Sequence, residues 1–399
     1  MPNFFAFDSL WSFVIVLAVL LLGHTFNNNI LSLEKFNIPP AITGGIFASI
    51  IITLLHFNDI DISLSVPQQD ILMLMFFSSV GLNANFRKII EGGRSILVFL
   101  GLSAVFIILQ DGLGVTLAKM LGLDPVIGLV AGSITLTGGH GTAIAWAEVI
   151  EKNFSLNVLE LSIASATFGL IVGGIIGGPL AHKRIYSLKL KRFHSCSSNV
   201  EVQQDAPHTT STMAFLKVFL TLLFCVASAK LIALSVTTAE ISWLRMPVFV
   251  YAIFVGLIIA NIFEILPKYA LEQFSLDFVS NLCLSLFLTM AIVNLKLWNI
   301  FDLAIPLLII LVFQTMLMIA FSYWITFHFM GRDYDAAVIL GGQCGFGLGS
   351  TPTAVTIMNS IVTHHGPSNR AFLVIPMAGA FFNDIINLAV IEGYLHFLK

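Results

Sequence analysis

The sequence predicts an all-α polytopic membrane protein made of two inverted-topology repeats, each with five transmembrane helices and a re-entrant hairpin. Three observations carry this expectation. Of the 399 residues 57% are hydrophobic and only 10% charged, against roughly 25% charged in a soluble domain. Apolar runs recur from Leu10 to Leu398, so the shortage of charge belongs to the whole chain and points to a bilayer as its solvent. Two glycine-rich patches interrupt apolar segments at matching places in the two halves, within 125–147 and 335–357.

The apolar segments of the first half fall at 9–25, 40–56, 70–83, 95–119, 125–147 and 158–181. Those of the second half fall at 212–235, 246–263, 279–295, 303–330, 335–357 and 370–397. The first run, "LWSFVIVLAVLLLG", has no basic stretch before it and no small-residue cleavage site, so it reads as a retained helix. Residues 182–211, basic and then polar, read as a connecting loop between an N-terminal repeat at 1–181 and a C-terminal repeat at 212–399. Aligning Asp124 with Asp333 lays Thr142 on Thr351 and Ala145 on Ala354, and a nearby offset lays Gln110 on Gln314. The glycine patch is the fifth segment both times.

If each fifth segment dips in and returns to its own side, each half crosses the membrane an odd number of times. The second half then enters upside down, the arrangement of a fold that opens alternately to either side. Arg87, Lys88, Arg94, Arg332, Arg370 and the basic run from Lys183 to Arg192 fall on the cytoplasmic side. Fewer bases, among them Lys119, Lys152 and Lys230, fall outside. This bias puts both termini outside and the 182–211 loop in the cytoplasm. If both fifth segments spanned fully, each half would have six helices and the termini would lie on the loop's side.

The patches read "LTGGHGTA" (136–143) and "ILGGQCGFGLGSTPTA" (339–354). Backbone can leave its helix at membrane depth only where protein or water satisfies its polar groups. A broken helix offers free N–H groups at one end, which hold a carboxylate, and free carbonyls at the other, which coordinate a cation. Thr135, Thr137, Thr142, Ser350, Thr351 and Thr353 add uncharged hydroxyls. His140 is the one ionisable group in the first patch, with a choice of roles: donor to substrate, tuner of a local pKa, or brace for the hairpin. Asp384, in "GAFFNDIINLAV", is an intramembrane acid beside Asn387, and such acids are functional candidates. Asn281 and Gln314 are lesser candidates of the same kind. Gly169, Gly173 and Gly177 fall four apart and predict a flat helix face for close packing.

Other classes fit poorly. The four cysteines are scattered, with no disulfide framework or zinc spacing. No HExxH, GxSxG or paired catalytic acids lie at membrane depth, so an enzyme is not expected. The "HKRIYSLKLKR" run suits a membrane edge better than nucleic acid. A channel remains an alternative, since filters also use backbone carbonyls.

"GLVAGSITLTGGHGTAIAW" (128–146) and "GGQCGFGLGSTPTAVTIM" (341–358) resemble the bacterial sodium/glutamate symporters of the inner membrane. "FFSSVGLNANF" (76–86), "FGLIVGGIIGGP" (168–179) and "FLVIPMAGAFFNDIIN" (372–387) resemble them too. The resemblance implies sodium-coupled uptake of L-glutamate, sodium as co-transported ion with no resident cofactor, and a homodimer in the lipid bilayer. It places substrate at Thr137, Gly138, Gly139, His140, Gly141 and Thr142, and at Cys344, Gly345, Gly347, Gly349, Ser350, Thr351 and Thr353. The expected sodium ligands are Thr135, Asn281, Asp384 and Asn387. Gln343 departs from the histidine expected at that place in some relatives. Aspartate, another dicarboxylate or a hydroxycarboxylate, or protons as driving ion, are the nearest alternatives.

Overall fold

The structure is a computed structural model that describes residues 3–30, 38–83, 86–190, 211–239, 246–266, 271–295 and 303–398. Strand β1 (Asn3–Phe7) leads into α1 (Ser9–Asn29), followed by α2 (Pro40–His56), strand β2 (Ile60–Leu64) and α3 (Gln69–Leu82). Helix α4 (Phe86–Met120) bends at Gly93, whose φ of 62° suits a residue without a side chain. Helix α5 (Pro125–Leu129) runs into a π-helical stretch, Val130–Ile134, and α6 (Gly139–Phe154) and α7 (Leu159–Ser187) complete the first half.

The described residues of the second half are helical throughout apart from their connections. This half has α8 (Thr212–Thr238), α9 (Val248–Ile265), α10 (Gln273–Val293) and α11 (Ala304–Ala320), which continues as a helix to Phe329. Helices α12 (Tyr334–Leu348) and α13 (Thr351–His365) follow, and α14 (Asn369–Met377) passes through a π-helical stretch, Ala378–Phe382, into α15 (Asn383–Leu398).

Local chemistry starts these helices where the sequence expects. Asp124 accepts from Val126 N at 2.9 Å and Asp333 from Ala336 N at 2.7 Å. The two aspartates aligned between the halves are therefore both N-caps of an interrupted segment. Pro40 and Pro125 occupy first-turn positions, where a missing N–H costs nothing.

Among the described residues, seven helices are long and apolar enough to cross a membrane: α1, α4 from Gly93, α7, α8, α9, α10 and α11 through Phe329. Their outward side chains include Leu21, Leu220 and Ile305, which only lipid or a protein partner covers at no cost. Helices α2 and α3 have 17 and 14 residues, short of the ~20 that span a hydrocarbon core. Two features differ from the sequence reading. Helix α7 extends to Ser187, past the expected boundary at 181, because "AHKRIYS" continues its helical register beyond Pro179. Strands β1 and β2 pair in parallel, from Asn3 with Ile60 to Phe7 with Leu64, a short contact between distant segments that no local pattern announces. Of the expected 182–211 loop, 191–210 lie outside the described residues.

Packing sorts the helices into two groups that cross the sequence halves. Helices α1, α2, α3, α8, α9 and α10 pack mainly on one another, and α4 to α7 pack with α11 to α15. Glycines set the close contacts inside each group. In the first, Gly81 of α3 faces the Ile253 carbonyl of α9, and Gly256 of α9 faces the Ser78 carbonyl of α3. In the second, Gly169, Gly173 and Gly177 of α7 face the carbonyls of Leu348, Cys344 and Gly341 along α12. The groups meet where α10 lies against α6: a Cβ on Gly141 would stand 3.6 Å from a methyl of Leu284.

Candidate functional site: two helix breaks

The first break opens at Gly132 (φ −104°, ψ −131°), and regular helix resumes only at Gly139, where φ is 69°. The second lies at Gly349 (φ −147°, ψ −91°) and extended Ser350, between α12 and α13. The breaks meet. Thr137 Oγ1 lies 2.7 Å from Gln110 Oε1 and 3.2 Å from the Gly347 carbonyl oxygen, so its single proton bridges toward both. A Cβ on Gly139 would stand 3.3 Å from the Gly349 carbonyl oxygen. Glycine serves there twice over, for its positive φ and for the close approach.

Neither helix that follows a break is capped by a side chain at its start: Gly138 has none to offer α6, and Ser350 makes no capping bond to α13. The positive ends of two helices of 16 and 15 residues therefore begin at the meeting point. Around them, Ser350 Oγ and Thr353 Oγ1 are 3.0 Å apart. Thr142 lies under Gly138, and Thr351 is close to Gly379. Thr142, Ser350 and Thr351 are half-buried and Thr353 is buried. His140 is buried with Nε2 3.1 Å from Thr167 Oγ1, and Thr167 spends its own proton on the Ile163 carbonyl at 2.8 Å. His140 therefore donates to Thr167 and braces α6 on α7 in this conformation. Cys344 and Gly345 sit in unbroken helix, Cys344 with its carbonyl against Gly173. The α12 helix holds its register for another turn beyond them, so Gly347 and Gly349 reach the break and Cys344 does not.

A second set of polar atoms surrounds the first break. Asp111, fully buried in α4, accepts from Ser133 N at 2.8 Å and Ser133 Oγ at 2.9 Å. Asn387 of α15 donates from Nδ2 to the Ser133 carbonyl at 3.1 Å. Its Oδ1 has no hydrogen-bond partner, nor do both side-chain polar atoms of Asn383 and Oε1 of Gln314, all buried. Gln314 Nε2 donates to the Gln110 carbonyl at 2.8 Å, so the two aligned glutamines touch. Buried oxygens without donors suit a cation as their partner.

Of the expected sodium ligands, Asn387 is at the break and half-buried Asp384 precedes it on α15. Thr135 is buried but turns its hydroxyl back to the Val130 carbonyl at 2.7 Å. Asn281 is exposed on α10, in the other packing group. Sequence reasoning passed over Asp111, Gln110 as a bridge, and Asn383. The signal for Asp111 was present: an acid inside an apolar span, in "FIILQDGLGV". Among the described residues no group of three or more His, Cys, Asp or Glu is placed to hold a metal ion. The buried oxygens here are amide and carbonyl oxygens beside single carboxylates.

Comparison with known proteins identifies the family. The family profile described as "Sodium/glutamate symporter" matches residues 5–367. Over 401 residues the chain is 40% identical to the sodium/glutamate symporters of Escherichia coli and Shigella flexneri, with 98% of each chain covered. It is 38% identical over 395 residues to that of Haemophilus influenzae, with 97% of each covered. With a profile match over most of its length and whole-chain relatives at this identity, the chain belongs to the sodium/glutamate symporter family.

Proposed function

We propose that the protein is a multi-pass inner-membrane symporter that couples inward sodium movement to uptake of L-glutamate by alternating access. The observation that carries this reading is the meeting of two uncapped helix starts beside a buried, donor-poor cluster of oxygens. The helix starts, with Thr137, Thr142, Ser350, Thr351 and Thr353, receive the substrate carboxylates. Each helix terminus contributes about 0.3–2 kcal/mol, so two converging termini with hydroxyls hold an anion without a lysine or arginine at membrane depth. Asp111, the Ser133 carbonyl, Asn387 and Asp384 receive sodium. A carboxylate in a water-poor interior is costly until a cation neutralises it, and sodium then completes the positive surroundings that glutamate needs. Binding of the two is thereby coupled.

The membrane arrangement belongs to the same proposal. The segments at 125–147 and 335–357 are re-entrant hairpins from opposite faces, the halves are inverted repeats of five spanning helices, and the termini are periplasmic. Two protomers form a homodimer. Proteoliposomes should accumulate labelled glutamate under an inward sodium gradient and fail to do so in choline medium. Equal uptake in both media overturns sodium coupling, and stronger competition by malate or citrate than by unlabelled glutamate overturns the choice of substrate.

A further inference from the structure

A recess with charged residues in a largely apolar lining lies apart from the two breaks. A cavity of about 760 Å³ opens between the packing groups at the end where α6, α8 and α15 finish and α3 and α9 begin. That volume lies within the range of small-molecule sites, roughly 300–1,000 Å³. Its charged lining comes from four helices: Asp70 of α3, Glu148 and Lys152 of α6, Lys230 of α8, and Glu392 and His396 of α15. Glu148 is half-buried and accepts from Gln69 Nε2 at 3.2 Å. Asp70, Lys152 and Lys230 form no ion pair among the described residues, although charges of both signs share one wall.

Lys230 is the informative member. It lies about two turns inside the end of a membrane-spanning helix, where an ammonium is costly unless it faces water or a partner. The cavity supplies that surrounding. Ala145, also in the lining, is one turn along α6 from Thr142, so the recess leads toward the first helix break.

We propose that this cavity is a vestibular binding site for an amino dicarboxylate, separate from the central site and held by side-chain charges that need no sodium. Lys152 and Lys230 take the two carboxylates, and Asp70 with Glu148 takes the ammonium. A neutral or simply anionic solute satisfies one set and leaves the other unpaired, so the lining selects a zwitterion with an extra carboxylate. Lys152 and Lys230 sit in different packing groups, and the bound molecule bridges them. The inference rests on glutamate being the transported substrate.

The test uses the full-length protein with Thr237→Cys, a cavity position, and Cys196→Ser; Cys225, Cys283 and Cys344 are buried. L-Glutamate in sodium-free choline medium should slow maleimide labelling of the new thiol at least ~3-fold, and Lys152→Gln with Lys230→Gln should abolish that protection. Equilibrium dialysis of labelled L-glutamate without sodium gives a second reading: wild-type protein should retain ligand that the double variant loses. Absence of protection and of sodium-free binding, or their survival in the double variant, overturns the vestibular site. Sodium-driven uptake by the wild-type protein is measured separately, so failure of the transport reading is told apart from failure of the vestibule.

Discussion

Asp111 is the residue on which the proposed cation site turns. It is fully buried, and both its oxygens are committed to the first atoms of a broken helix. Asp111→Asn replaces a charge facing the proposed cation with a neutral amide, a loss comparable to the ~1.5–3 kcal/mol of a charge-assisted contact, so it should raise the sodium concentration for half-maximal uptake about 10- to 100-fold. Membrane insertion, checked by fluorescence-detected chromatography, should hold. Asp384→Asn should likewise weaken sodium dependence more than insertion; an unchanged sodium requirement would return Asp384 to a structural role. These two acids were unequally visible in sequence. Asp384 stands between asparagines, whereas Asp111 follows Gln110 in the middle of a long apolar span, and only the fold brings Ser133 to it. His140 shows the converse: a conspicuous residue in the glycine patch whose bond goes to Thr167 of α7.

At the scale of elements, the glycine stripe of α7 determines how closely α12 approaches. A Cβ on Gly177 would stand 2.6 Å from the Gly341 carbonyl oxygen, while a Cβ on Gly178 meets nothing within 4 Å. Overpacking a tight contact costs typically ~1–3 kcal/mol. Gly177→Val should therefore lower the thermal midpoint in detergent and slow uptake, and Gly178→Val should leave both near wild type. Equal effects of the two would remove the α7–α12 contact as the cause. Four-residue spacing in the sequence relates Gly174 to Gly178 as well as Gly173 to Gly177. Periodicity reveals that a helix has a small face; only the neighbour's position reveals which face is used. The same holds for the breaks, since "GGHG" and "GLGSTP" announce that a helix stops without saying what stands opposite.

For the whole molecule, the proposed inversion makes a sided prediction. Met120 ends α4 and Phe329 ends the helical run of α11, at corresponding places in the two halves, and both are exposed. In a Cys196→Ser background, Met120→Cys should react with an impermeant maleimide from the periplasmic face and Phe329→Cys only from the cytoplasmic face. Labelling of both from one side would put the halves in the same orientation and remove the inverted repeat. The two packing groups each take helices from both halves and have their own glycine-packed contacts.

The sequence alone determined the solvent of this protein, the order of its helices and the two places where they break. Hydropathy, proline and glycine act locally, through water, hydrocarbon and backbone sterics, and need no partner to be read. Only the tertiary structure decided that Thr137 meets Gly347, that Asp111 grips Ser133, and that helices from both halves share each packing group. Those pairings join residues far apart in the chain. Helical register identifies which residues share a face, but which other face receives them is settled when all the helices pack together.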